Sequence, residues 1–69
     1  MMNHPDTYRE AGKATATARR QHDEARAQFH RQWFTRALVL EAEPDRTTAR
    51  RLFDEGYAEA QPHRQPSYF

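Results

Sequence analysis

The sequence predicts an all-α protein, a helical hairpin with one long N-terminal helix and one shorter helix, dimeric through the long helix. Two periodic runs of apolar residues separated by a proline turn predict the helices, and no segment alternates as a strand does. The dimer is predicted from size. A chain of 69 residues without cysteine forms neither a large core nor a disulfide, and such chains commonly need an oligomer or a partner.

The first helix is expected over about residues 6–42. Asp6 follows Pro5 and can serve as N-cap, and no proline interrupts the chain before Pro44. At 100° per residue, one face of this helix carries mostly small side chains in its N-terminal half, and these would let two long helices approach closely. We therefore expect the dimer interface at Tyr8, Ala11, Thr15, Ala18, His22 and Ala25. A monomer whose N-terminal third frays is the alternative.

The second helix is expected over about residues 46–60. The segment Glu43-Pro44-Asp45 ends the first helix, and Asp45 can cap the next one. The apolar face of the second helix would cover the C-terminal half of the first.

The two helices predict a single domain with a tail. Residues 1–60 form one helical-hairpin domain, and residues 61–69 form an extended or disordered tail. Tyr68 and Phe69 in that tail are either a partner-binding anchor or a loose terminus.

Two features suggest a binding surface. Phe34 and Leu38 lie roughly 120° or more from the main apolar stripe, so we expect them to be exposed and to be covered by another molecule. The second helix carries arginines near its start, where the helix dipole favours anions, and this pattern predicts an anion site. The predicted partner-binding residues are Arg31, Phe34, Leu38, Arg46, Arg50 and Arg51.

The sequence offers no support for catalysis or for a cofactor. It contains no glycine-rich phosphate loop, no nucleophile motif and no cysteine, and its glycines are single. His22 and His30 would lie about 12 Å apart along a helix, too far to share one zinc ion. We therefore expect no enzyme activity, no cofactor and no metal. With no membrane-spanning run and no signal region, we expect a cytoplasmic protein.

The net charge of +1 supplies no field that would steer the chain onto nucleic acid or lipid. The composition favours a non-enzymatic protein–protein interaction module. A composition rich in arginine and alanine suggests a bacterial or phage origin. Such an origin in turn suggests an inhibitor of a host complex, such as an anti-CRISPR, although no motif supports that step. The alternative is a small dimeric nucleic-acid-binding regulator that contacts phosphates through Arg46, Arg50 and Arg51, and a third is a structural subunit of a larger assembly.

Overall fold

The computed structural model describes residues 4–61, which form three helices and no strand: α1 (Pro5–Arg20), α2 (Glu24–Val39) and α3 (Glu43–Ala60). The prediction of an all-α fold is confirmed, but the two-helix hairpin is wrong, because the expected long helix is divided at residues 21–23. The predicted tail contact of Tyr68 and Phe69 lies outside the described residues. None of the helices within residues 4–61 has the length and apolar composition to cross a membrane.

The chain reverses between α1 and α2 without a glycine or a proline. His22 has a φ of 61°, in the left-handed region. The N–H of Asp23 donates to the carbonyl of Ala18 (2.8 Å) and that of His22 to Arg19 (3.0 Å), which is the Schellman pattern that ends a helix. The Asp23 side chain then accepts from the N–H of Arg26 at 3.1 Å and caps α2. One helix is ended and the next begun within three residues.

Two helices begin earlier than predicted, because proline is accepted in a first turn, where its missing N–H is not needed. Helix α1 starts at Pro5, and Nδ1 of His4 accepts from the N–H of Asp6 at 3.2 Å. Helix α3 starts at Glu43, and its first turn therefore holds Glu43 and Asp45. Those carboxylates suit the positive end of the helix dipole. Helix α3 begins three residues before the predicted start, so Arg46 is its fourth residue. The anion site expected at these arginines stays a prediction.

Helix α1 packs against both other helices, and its closest contact is with α3 at two glycines. A Cβ atom at Gly12 would overlap the carbonyl oxygen of Phe53 and lie 2.8 Å from the backbone N of Tyr57. A Cβ atom at Gly56 would overlap the carbonyl oxygen of Arg9 and lie 2.9 Å from its carbonyl carbon. Each glycine therefore admits the backbone of the opposite helix, and we call this contact the glycine seam.

Ion pairs run alongside the glycine seam. Arg9 contacts Glu55 at 3.0 Å, and Lys13 contacts Glu59 at 3.7 Å, so both pairs join α1 to α3. Their side chains keep between 38% and 50% of their exposure. Pairs this exposed contribute about 0–1 kcal/mol each to stability. Their main effect is therefore to fix how α1 and α3 are aligned along their axes.

Tyr8 and three further aromatic residues join the helices in the core. The Tyr8 ring lies 5.8 Å from Trp33 and 6.0 Å from Phe34, and Phe34 stacks on Phe53 with centroids 4.1 Å apart. Tyr8 is fully buried and Phe34 is 9% exposed. The expectation that Phe34 faces away from the core is therefore wrong. Leu38 is half-buried and packs against the same cluster, so it also differs from the expectation.

The residues predicted to form a dimer interface divide into two groups. Tyr8, Ala11, Thr15 and Ala18 are buried within the single chain, so the premise that a second copy must cover them is wrong. The small residues of α1 serve its close packing on the other two helices. The last two predicted residues, His22 and Ala25, are exposed, because His22 lies in the turn and Ala25 in the first turn of α2.

The Gly12→Ala and Gly56→Ala variants should each destabilise the protein. Alanine at an open helix position is favoured over glycine by about 1 kcal/mol, but here the added methyl meets backbone and forces α1 and α3 apart, at about 1–3 kcal/mol. Urea unfolding followed by circular dichroism measures the difference. Ala58→Gly, at an exposed site of α3, is the control and should cost about 1 kcal/mol through propensity alone. A Gly12→Ala variant as stable as the wild type would contradict the seam.

Position 22 should favour glycine over any other residue. A left-handed residue other than glycine costs about 1–2 kcal/mol, so His22→Gly should raise the free energy of unfolding by up to about 1 kcal/mol after its greater unfolded-state entropy is counted. His22→Val should lower it, since β-branched residues tolerate positive φ poorly. Thermal unfolding of both variants checks this. Equal stability of the glycine and valine variants would show that α1 and α2 are joined in another way.

Candidate functional site

A groove lies between α2 and α3, because both helices pack on α1 and approach each other at few backbone positions. The cavity has a volume of about 320 Å³. Its lining comes from residues spaced one turn apart on two helices, which places them in two facing rows. We call it the α2–α3 groove, and its lining residues are Arg31, Phe34, Arg50, Phe53, Asp54 and Tyr57.

Aromatic rings form the floor of the α2–α3 groove. Phe34 and Phe53 stack with an interplanar angle of 24°, and Phe53 continues to Tyr57 at 6.4 Å and 26°. Phe34 and Phe53 are buried, whereas Tyr57 is half-buried at one end. Because these rings pack against one another, the groove offers an apolar base of fixed shape rather than free aromatic faces.

Arginines stand at the rim. Arg31 on α2 and Arg50 on α3 are both exposed, and neither forms an ion pair with any residue among 4–61. Asp54 is the carboxylate that lines the same groove. Arg51, in contrast, contacts Glu55 at 3.9 Å and does not line the groove. The groove therefore combines an apolar floor with two guanidinium groups whose donors are available to a ligand.

Two further concavities extend the groove at either end. One, of about 380 Å³, shares Arg50 and is lined also by Thr35, Leu38, Val39 and Arg46. The other, of about 240 Å³, shares Arg31 and is lined also by Arg19, Gln28 and Gln32. From Gln28 to Val39 the surface follows α2 for about 16 Å at 1.5 Å per residue. Four arginines and one aspartate line this extended surface, so its charge is positive.

Two of these arginines are held in place. Arg19 Nη1 donates to the Tyr57 hydroxyl at 3.1 Å, and its guanidinium lies 5.9 Å from the Tyr57 ring centroid. Arg46 Nε donates to the carbonyl of Leu38 at 3.3 Å, and its Nη1 contacts Glu43 at 3.2 Å. These contacts tie α1 to α3 and α2 to α3 at the two ends of the surface, leaving Arg31 and Arg50 free to reorient between them.

A buried polar contact ties the turn between α2 and α3 to α1. Glu41, in the turn between them, is 4% exposed, and the Tyr8 hydroxyl donates to its Oε2 at 2.7 Å. The bond fixes this turn to α1. Because the turn joins the end of α2 to the start of α3, the bond also limits how far these two helix ends can separate.

The structure brings most of the predicted partner-binding residues to one side of the molecule. Arg31, Phe34 and Arg50 line the α2–α3 groove itself, and Leu38 and Arg46 line its extension. Arg51 lies elsewhere. The predicted partner-binding residues do not include Arg19, Phe53, Asp54 and Tyr57, which also line the groove or its extension. The aromatic pair of Phe53 and Tyr57, spaced i,i+4 on α3 and preceded by Arg50, is the sequence signal that indicates this surface.

The described residues contain no grouping suited to a metal ion: within 4–61, three His, Asp or Glu side chains nowhere come together as ligands. The α2–α3 groove contains one carboxylate and two guanidinium groups, a set suited to binding an anion rather than to proton transfer. Comparison with protein-family models, with curated proteins and with solved structures found no match for this chain.

Removing the hydroxyl of Tyr8 should destabilise the fold. In Tyr8→Phe the ring packing is kept while Glu41 loses a buried hydrogen bond, which should cost about 1–3 kcal/mol. Tyr57→Phe is the matched control, since its hydroxyl accepts from an exposed arginine and its loss should cost below about 1 kcal/mol. Chemical unfolding of the two variants tests this. A Tyr8→Phe variant no less stable than Tyr57→Phe would show that the Glu41 contact does not hold the turn.

Proposed function

We propose that this protein is a non-enzymatic protein–protein interaction module that binds an acidic amphipathic segment of a partner protein in the α2–α3 groove. The observation that supports this most directly is the pair of exposed arginines, Arg31 and Arg50, above an apolar floor. Guanidinium groups without a carboxylate partner among residues 4–61 can bind carboxylates of a ligand in bidentate fashion. Arginine and aromatic residues are also those that concentrate binding energy at interfaces.

The dimensions favour a helical ligand. About 16 Å corresponds to about 11 residues, or three turns, of α-helix. A helix in a groove presents apolar anchors on one face and polar residues beside them. Large apolar side chains of the ligand would contact the edges of Phe34 and Phe53, and acidic residues one turn away would reach Arg31 and Arg50.

The nucleic-acid alternative has weaker support. Proteins that bind single strands offer free aromatic faces on which bases stack, whereas Phe34 and Phe53 use theirs on each other. Of the three arginines predicted to contact phosphates, Arg51 faces Glu55 and Arg46 contacts Glu43, so the charge of both is partly neutralised by neighbouring carboxylates. Interleaved carboxylates reduce the potential that a phosphate backbone would require.

The cellular role extends the proposal. An accessory protein of a phage or mobile element that inhibits a host complex in the cytoplasm needs a binding surface and no active site, and the α2–α3 groove supplies such a surface. We propose in addition that the protein self-associates, through residues other than those predicted from the sequence. The small size and the composition of the chain are what support this origin, compartment and role.

A displayed library of helical peptides, selected against the whole chain, tests the binding proposal. The selected peptides should be rich in Asp and Glu beside large apolar residues. The double variant Arg31→Gln/Arg50→Gln should bind them at least about a hundredfold more weakly, since each charge-assisted contact contributes about 1.5–3 kcal/mol. Arg20→Gln, which removes an exposed arginine of α1, is the control and should bind as the wild type does.

The salt dependence of binding separates the two classes of partner. Duplex DNA and the selected peptides are titrated at low and at moderate salt. Binding to DNA that is tighter than to any peptide, falls steeply with salt and depends on Arg51 would replace the protein-binding proposal by the nucleic-acid one. Peptides that bind the double variant as tightly as the wild type would remove the groove as their site.

A further inference from the structure

One face of α2 is largely exposed and carries large side chains, of which Trp33 also contacts Tyr8 of α1. Phe29 and Leu40 are 66% and 84% exposed, and both are among the exposed large hydrophobic residues of the part of the chain that the structure describes. Residues 29, 33, 36 and 40 are spaced four, three and four apart, which places them on one helical face. Leu40 follows the last residue of α2 but keeps helical angles, with φ −84° and ψ −4°. We call Phe29, Trp33, Arg36 and Leu40 the outer stripe.

The outer stripe is complementary to itself in the antiparallel sense. When two copies of α2 are related by a two-fold axis between residues 34 and 35, Phe29 meets Leu40 of the other copy and Trp33 meets Arg36. Both ends of the stripe then form apolar pairs, and both central pairs are a cation beside an aromatic ring. Parallel pairing instead sets Arg36 against Arg36, which is a like-charge contact.

The side chains of the stripe are available for this pairing. Trp33 is half-buried, with one side against Tyr8 and the remainder exposed. Arg36 is exposed, and its guanidinium has no ion pair or hydrogen bond with a residue among 4–61. Full burial of a Phe or Leu side chain contributes about 1.5–3 kcal/mol, and a two-fold axis buries two of each.

We infer that the protein forms a homodimer through the outer stripe, with the two α2 helices antiparallel. A two-fold interface requires a surface that is complementary to itself, and the order Phe, Trp, Arg, Leu meets that requirement. The stripe and the α2–α3 groove lie on different faces of α2, so each protomer keeps its groove. The dimer would present two grooves and would bind a repeated or paired ligand with avidity.

A charge-reversal pair tests the inference. Phe29→Asp and Leu40→Arg should each be monomeric at concentrations where the wild type sediments as a dimer of 8.2 kDa chains. An equimolar mixture of the two variants should recover the dimer. Antiparallel pairing brings the carboxylate introduced in one variant to the guanidinium introduced in the other, and it leaves one native pair of Phe29 with Leu40. In a parallel dimer the introduced carboxylate and guanidinium do not meet, and Phe29 does not meet Leu40. The mixture therefore also reports the orientation of the two helices.

Val39→Asp is the matched control. Val39 is 68% exposed and next to Leu40, but lies about 100° away around the helix, so this variant should stay dimeric. Circular dichroism checks that helicity is kept, and Phe29→Ala with Leu40→Ala provides milder variants should a charged one unfold. A wild type monomeric throughout the micromolar range, equal loss in Val39→Asp, or a mixture that stays monomeric would each overturn the inference. Arg31→Gln/Arg50→Gln should leave the dimer unchanged, which separates this result from the groove.

Discussion

The direct backbone contact between α1 and α3 is the constraint on which the rest of this structure depends. Most helix pairs are separated by their side chains, at interaxial distances of about 8–10 Å. Here Gly12 and Gly56 remove the side chain from each helix at the point of crossing, and each admits a carbonyl of the other helix. A small chain thereby obtains a tight interhelical contact without large apolar residues, which explains how so polar a sequence forms a core.

The aromatic residues follow from that contact. With α1 and α3 in place, Tyr8 and Phe53 come from opposite helices toward one region, and Phe34 of α2 packs against both. Helix α2 is therefore attached mainly by rings, by the turn that His22 and Asp23 form, and by the Tyr8–Glu41 hydrogen bond. The groove exists because this attachment brings α2 to α1 without closing it onto α3.

The sequence predicted the helical class and the end of α3 at residue 60, because periodicity and proline positions are local signals. It did not predict the break at His22, which is made by a histidine in a left-handed conformation, a choice open to few residues other than glycine. That omission explains the error on Phe34. A periodicity that runs through residues 21–23 as one helix places α2 in the phase of α1 and turns Phe34 away from the core. The role of Gly12 is not visible in the sequence, because its partner on α3 lies far along the chain.

The three helices are attached to one another unequally. Helices α1 and α3 share a backbone contact that no rotamer change can loosen, whereas α2 is held by ring packing and by the turns at residues 21–23 and 40–42. Of the three helices, α2 is therefore the one whose displacement would break the fewest backbone contacts. Widening of the cleft between α2 and α3 would require displacement of α2 alone, and an α2 helix joined to that of a second copy would carry the displacement from one protomer to the other.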